Sequence, residues 1–166
     1  MVERDPDHDL AVPRVEGYET PRPLPLHLDG QWAYNDPMMT FEYSTTLVSG
    51  NDVVMNPAAR IGHITRFYDD HLPGREDLIV DFYELSWPAL KGASGAPLLF
   101  GTNDERSGHV LGVIVANKEH HLSPSFIETI LRENNSQLEQ RLYMLPLGLA
   151  VDIRHGAEMC NRAMAG

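Results

Sequence analysis

Gly92-Ala-Ser94-Gly-Ala-Pro97-Leu-Leu99 joins one β-rich run of the chain to the next, and its residue types suit one task. Small residues on both sides of a serine let the backbone turn tightly. In such a turn a hydroxyl and its neighbouring N–H groups converge, which is what an oxygen acquiring negative charge during attack on a carbonyl needs. Gly92 and Ser94 are placed to supply the two amides, while Pro97 stiffens the exit and starts the next strand. The segment is not a nucleophile elbow, which reads Gly-x-Ser-x-Gly between strand and helix. Here Ala96 takes the fifth position and the β-rich Pro97-Leu-Leu-Phe100 follows. A plain β-turn is the other reading of the same residues.

The flanks alternate between strand and turn. Upstream, residues 41–48 are β-rich and end at the turn cluster Ser49-Gly-Asn-Asp52. Arg60-Ile-Gly-His-Ile-Thr-Arg-Phe-Tyr68 and Asp77-Leu-Ile-Val-Asp-Phe-Tyr-Glu-Leu85 read as strands around a polar loop at 69–76. Downstream, a loop at 101–108 leads to His109-Val-Leu-Gly-Val-Ile-Val-Ala116, whose continuous apolar run predicts a strand buried on both faces. The period then changes. Ser125-Phe-Ile-Glu128 has the form of a capping box, and Phe126, Ile127, Ile130, Leu131, Leu138 and Leu142 fall mostly at helical spacing. A helical insertion over 125–144, ended by Pro146, is the expectation. Leu147-Gly-Leu-Ala-Val-Asp-Ile153 returns to strand, and residues 155–165 predict a closing helix. At the front, Leu10-Ala-Val-Pro-Arg-Val-Glu-Gly17 is a short strand interrupted by proline. Thr20-Pro-Arg-Pro-Leu-Pro-Leu26 is an extended connector, and residues 29–37 are loop. Short strands with turn signals between them predict an all-β fold, an antiparallel barrel or sandwich, with a helical insertion and a C-terminal helix.

The composition narrows the function classes. At 166 residues, 42% hydrophobic and 22% charged, the chain is one ordinary domain. A net charge of -11 with only 13 Lys and Arg argues against a nucleic-acid partner. No apolar run reaches the roughly 18 residues of a transmembrane helix, so no membrane partner is expected. Cys160 stands alone, which excludes an internal disulfide and a Cys-based zinc cage; it reads as a small helix residue packed on the barrel. Asp69-Asp-His71 and Glu119-His-His121 hold metal-ligand residue types. Adjacent histidines on extended chain face opposite ways, however, so two solvated loops are the preferred reading and no metal is assigned. Asn134-Asn-Ser136 has the form of a glycosylation acceptor. The first residues lack the apolar core of a signal peptide, and with the lone cysteine this gives a cytoplasmic location as the expectation.

Gly92-x-Ser94-Gly95-x-Pro97-Leu98 resembles the nucleophile motif of the trypsin-like (chymotrypsin-fold) serine peptidases. Gly108-His-Val-Leu-Gly-Val-Ile-Val115 is similar to that family's next strand, one wall of its primary specificity pocket. Leu147-Gly-Leu-Ala-Val-Asp-Ile153 and the helix after it resemble the family's last strand and C-terminal helix. Arg60-Ile-Gly-His-Ile-Thr65 resembles a strand of its second barrel. His8-Asp9-Leu-Ala-Val12 resembles the segment carrying the triad aspartate, and the Pro-rich stretch lies where the inter-barrel connector belongs.

The resemblance runs over almost the whole chain in the family's order. It implies an incomplete first barrel, left as a remnant with the connector at 1–37, and a second, antiparallel six-stranded barrel of the trypsin-like type at 38–166. It also implies Ser94 as nucleophile, the amides of Gly92 and Ser94 as oxyanion hole, and Asp9 as the group that orients an imidazole. Ile114, Val115 and Ala116 become the pocket wall. No Asp or Glu stands in Ser86-Trp-Pro-Ala-Leu-Lys91, so an apolar or small substrate side chain is expected. A peptide or protein substrate and no cofactor complete the implication.

One part of the pattern is missing. In this family the histidine precedes the aspartate by several strands, and only eight residues precede Asp9. His8 adjoins Asp9 and faces the other way on extended chain. His27 in the connector is a candidate to reach inward, while His63, His71, His109, His120 and His121 read as half-buried or solvated. A triad serine without its base loses most of its rate. The chain is therefore expected to be inactive or nearly so alone, its base belonging to a missing N-terminal segment or a second chain. The alternative is a non-catalytic, protease-like module that binds peptide or protein. Leu10, Val12 and Val15 would lack a first barrel to pack into, so the first ~30 residues are expected to be loosely held or to pair through an exposed edge.

Overall fold

The computed structural model describes residues 2–13, 17, 23–43, 47–49, 52–54, 56–102, 105–132 and 135–165. The strands are β1 (Val2–Asp5), β2 (Leu10–Pro13), β3 (Pro37–Glu42), β4 (Leu47–Ser49), β5 (Asp52–Val54), β6 (Ala58–Leu72), β7 (Arg75–Leu85), β8 (Pro97–Phe100), β9 (Val110–Arg132) and β10 (Asn135–Asp152). One helix, α1 (Ile153–Ala165), follows them. Six strands form an antiparallel sheet in the order β10-β7-β6-β3-β8-β9, and it closes because β9 also pairs with β10. β1 and β2 form a separate hairpin, as do β4 and β5.

Alternation along the strands accounts for two apolar layers. Tyr83 and Leu85 of β7, Ala150 of β10, Met38, Ile64, Leu98, Phe100, Leu111 and Ile114 make one cluster, to which all six strands contribute. That cluster is the barrel interior. The residues between them, Phe82, Val80, Leu149 and Val151, form a second buried cluster on the outer face, with Leu10 of the hairpin packed against it. Each fully buried Phe or Leu contributes about 1.5–3 kcal/mol, so burial on both faces explains the continuous apolar run at the start of β9, Val110–Ala116. Gly112 is required where β9 meets β10: a Cβ there would lie 2.7 Å from the Val151 carbonyl oxygen.

The helical insertion expected at 125–144 is overturned. These residues lie in β9 and β10, paired antiparallel in register from Asn135 opposite Arg132 down to Asp152 opposite Gly112, with irregularities at 141–143 and 149–150. Apolar pairs such as Phe126-Ile127 and Ile130-Leu131 fit a helix face and a strand equally, so their spacing does not decide between them. The β-branched Ile127, Thr129 and Ile130 favour extended backbone. Pro146 does not end the segment. It sits in β10 opposite Glu119, short of Leu149 where the ladder with β7 begins, so its missing N–H interrupts no pairing on that side.

Two loops also become strand. Residues 69–72 belong to β6, and the turn to β7 is Pro73-Gly74, with Gly74 at φ 83° as the third residue of a type II turn demands. Glu119 and His120 lie in β9. The run at 41–48 divides between β3 and the small β4–β5 sheet. The closing helix is present. Asp152 caps it by accepting the Arg154 amide at 2.8 Å. No described helix is long and apolar enough to cross a membrane.

The front of the chain is tied down in three places. β2 pairs with β1, Arg162 Nε of α1 donates to Glu3 Oε1 at 3.1 Å, and Leu26 bridges to Val110 in parallel. Around that bridge the His27 amide donates to the Val110 carbonyl and the Val110 amide to the Pro25 carbonyl, both at 2.8 Å. The connector thus pairs with the barrel edge. Val15, the start of the Pro-rich stretch at 20–22 and Asn134 lie outside the described residues.

Candidate active site

Residues 86–96 carry the chain from β7 to β8, and Ala93 anchors their turn by full burial in the barrel core. The turn is stitched locally by the Ala93 amide on the Leu90 carbonyl (2.8 Å) and the Ala96 amide on the Ala93 carbonyl (2.9 Å). It is stitched to β9 by the Gly95 amide on the Ile114 carbonyl (2.8 Å) and the Ile114 amide on the Ala96 carbonyl (2.9 Å). Gly92 at φ 92° and Gly95 at φ 90° occupy the left-handed region that side chains resist. Ala93, Gly95 and Ala96 have spent their amides. Among the described residues, the amides of Gly92 and Ser94 have no hydrogen-bond partner. Ser94 is exposed, and its hydroxyl donates to the Val115 carbonyl at 3.0 Å.

Ser94 borders a cleft of about 490 Å³, and Asp9 borders the same cleft. Leu10, Val12, Val113 and Ile153 give the cleft an apolar wall, and Cys160 of α1 also faces it. Asp9 ends the turn between β1 and β2 with a φ of 53°. Asp5 holds that turn: its Oδ1 accepts the amides of Asp7 (3.1 Å) and His8 (3.2 Å), and its Oδ2 lies 3.0 Å from His8 Nδ1. Burial alone would raise the Asp5 carboxyl, but the His8 ring and the two amides outweigh it and hold it below the usual range.

Of the residues singled out from sequence, Ser94, Asp9, Ile114 and Val115 all border this cleft. Ile114 does so while buried in the barrel core, and Val115 supplies the carbonyl that holds the Ser94 hydroxyl. Ala116 does not border it and packs with the outer cluster instead. No described histidine borders the cleft. His27 is buried in its own loop, with Nε2 2.7 Å from the Gln31 carbonyl and 2.6 Å from Asp29 Oδ1, and its ring is edge-on to Phe100. That ring nitrogen is engaged away from Ser94. His8 is engaged by Asp5 and stacks on His155.

The two segments with metal-ligand residue types form ion pairs: Asp70 with Lys118, and His120 Nε2 with Glu84 at 2.8 Å. Lys118 holds the Asp70 carboxyl below its usual range. Among the described residues no group of three or more His, Cys, Asp or Glu is placed to hold a metal ion. The α1 wall of the cleft had no signal in the sequence, because it arises from tertiary packing of Ile153, Gly156 and Cys160. No family model matches the chain, and no curated protein and no solved structure matches it.

Proposed function

We propose that the chain is the second-barrel portion of a trypsin-like serine peptidase domain, residues 38–166, preceded by a first-barrel remnant and connector at 1–37. The observation that carries this reading is one cleft bordered by Ser94 and by the carboxylate residue Asp9, with the Ser94 amide, and that of Gly92 two residues before it in the same turn, without partners among the described residues. In the reaction, Ser94 Oγ attacks a peptide carbonyl. The carbonyl oxygen gains negative charge and takes hydrogen bonds from the Gly92 and Ser94 amides, a contribution that preorganised donors make without reorganisation. The Ser94 proton must pass to a base and then to the leaving amine. In this fold the proton is shared with the Val115 carbonyl, which cannot remove it. Asp9 would orient and charge-stabilise an imidazole in the cleft. Without one, the residual rate is what the amides and substrate binding supply. The apolar wall favours substrates with apolar or small side chains.

A second reading, a protease-like module that binds peptide without cleaving it, is favoured by the engaged Ser94 hydroxyl and the absence of a described histidine at the cleft. An aliphatic peptidyl boronic acid separates the two, because its boron becomes tetrahedral only when a nucleophile adds to it. With imidazole added to stand in for the missing base, the peptidase reading predicts an upfield boron resonance on binding, lost in Ser94→Ala. Binding of the matching peptide carboxamide with unchanged affinity in Ser94→Ala, and no tetrahedral boron, supports the module instead.

A further inference from the structure

His8, in the turn between β1 and β2, stacks on His155 in the first turn of α1, with ring centroids 3.7 Å apart and planes 22° from parallel. This contact joins the hairpin that carries Asp9 to the helix that forms the far wall of the cleft. We infer that the His8–His155 stack is a proton-sensitive latch that keeps the hairpin docked on α1 near neutral pH and releases it on mild acidification, opening the Ser94 cleft. The proposal is independent of any chemistry at Ser94.

Two stacked imidazoles tolerate one positive charge between them, but two at this separation repel strongly unless counter-charges absorb the repulsion. Charged groups from several elements surround the two rings. From β1, Asp5 Oδ2 sits 3.0 Å from His8 Nδ1, and the Asp5 charge also acts on His155. From β7, Asp81 acts on both rings; Asp152 at the head of α1 and Glu158 within it act on His155. Arg75 of β7 faces Asp7 and Asp9 of the same turn.

The available negative charge is reduced at one point. Asp81 lies directly opposite Asp69 on β6, and burial and then that carboxylate push Asp81 above the usual range. His155 is half-buried, and burial first, then the charge of His8, hold its ring below the ordinary histidine range. A docked His155 therefore binds its proton less readily than a released one. Docking is favoured at pH above the ordinary histidine value and weakens as pH falls through it. The Arg162–Glu3 ion pair is a second tie across the same junction.

Cys160 reports on the latch, because it lies on the cleft between hairpin and helix. The measurement is its rate of reaction with 4,4′-dithiodipyridine, divided at each pH by the rate for the chain in denaturant. Between about pH 7.5 and about pH 5.5 the wild-type protection factor should fall roughly tenfold. In His155→Phe, which keeps a stacked ring without a proton site, it should stay flat. Amide exchange in the wild type gives a readout independent of the variant: residues 2–5 and 10–13 should lose protection over the same interval while β7 and β8 keep theirs. A flat wild-type profile, an unchanged profile in His155→Phe, or simultaneous loss of protection in β7 each overturns the latch.

Discussion

Replacing Asp152 by alanine should lower the free energy of unfolding by about 2–4 kcal/mol, because it removes a helix cap and the acceptor of a buried hydroxyl while the Arg154 left behind is 50% exposed. Asp152 is 3% exposed and does two jobs at the junction of β10 and α1. Its Oδ1 accepts the Arg154 amide at 2.8 Å and Arg154 Nε at 3.0 Å. Its Oδ2 accepts Arg154 NH2 at 2.9 Å and the Tyr83 hydroxyl at 2.5 Å. Tyr83 is wholly buried in the barrel core, so alanine leaves its hydroxyl unsatisfied inside the protein and removes the helix cap as well. Tyr83→Phe removes one hydrogen bond to a charged group and should cost less, about 1.5–3 kcal/mol.

Burial alone would raise the Asp152 carboxyl, but Arg154 and the Tyr83 hydroxyl outweigh burial and hold it below the usual range. Burial and the same carboxylate push the Tyr83 hydroxyl above its own. With a depressed native carboxyl, this stabilisation is fully present above about pH 4 and is lost as pH falls through the native value. Urea unfolding of the wild type and both variants at neutral pH checks the order. A loss below ~1 kcal/mol for Asp152→Ala would place the network outside the stabilising core.

Glu84→Ala should cost about 2–4 kcal/mol and, unlike Asp152→Ala, should loosen one region more than the rest. Glu84 is 2% exposed on β7 and ties three strands together. Its Oε1 accepts Thr65 Oγ1 at 2.7 Å and Arg66 Nε at 2.8 Å, both from β6. Its Oε2 accepts Arg66 NH2 at 2.7 Å and lies 2.8 Å from His120 Nε2 on β9. The partners left behind are partly solvated, Arg66 at 47% and His120 at 28% side-chain exposure, which holds the penalty below that of a wholly buried pair.

Burial would raise the Glu84 carboxyl, but Arg66, Thr65 and His120 overcome it and hold it below the usual range. Burial and then Glu84 push the neighbouring Tyr68 hydroxyl up to about 12. The Glu84 contribution therefore also fades only in acid. Amide exchange locates the effect: β9 beyond Asn117, where its pairing among the described residues is with β10 alone, should exchange faster in the variant while β8 is unchanged.

β6, β7, β8, the start of β9 and the end of β10 were legible in the sequence because alternation and turn residues mark short strands well, as with Asp77-Leu-Ile-Val-Asp-Phe-Tyr-Glu-Leu85, whereas only residues 41–42 of β3 fell within an expected strand. The long β9–β10 ribbon was not legible. Its paired apolar residues satisfy helical and extended spacing alike, and Ser125-x-x-Glu128 mimics a helix start. Register between strands settles what spacing leaves open, and register is a tertiary property. Ser94 and Gly92 stand out in the sequence through a local turn that needs glycine at positive φ. Asp9 was singled out only through its place in a longer pattern, and the α1 wall and the His8–His155 contact depend on packing that no local pattern encodes.

Ser94 sits in a formed turn with no described histidine on its cleft, and a fluorophosphonate probe reads out whether it acts as a nucleophile without a base. The cleft at Ser94, about 490 Å³, has room for a free imidazole, and Asp9 borders the same cleft. Intact-mass analysis should find Ser94 unlabelled over the time that labels an active serine peptidase to completion. Added imidazole should raise its labelling several-fold in the wild type but not in Asp9→Ala, the small gain expected when a base is supplied from solution instead of held in place. Rapid labelling of Ser94 without imidazole, or labelling unaffected by imidazole and by Asp9→Ala, would contradict the account.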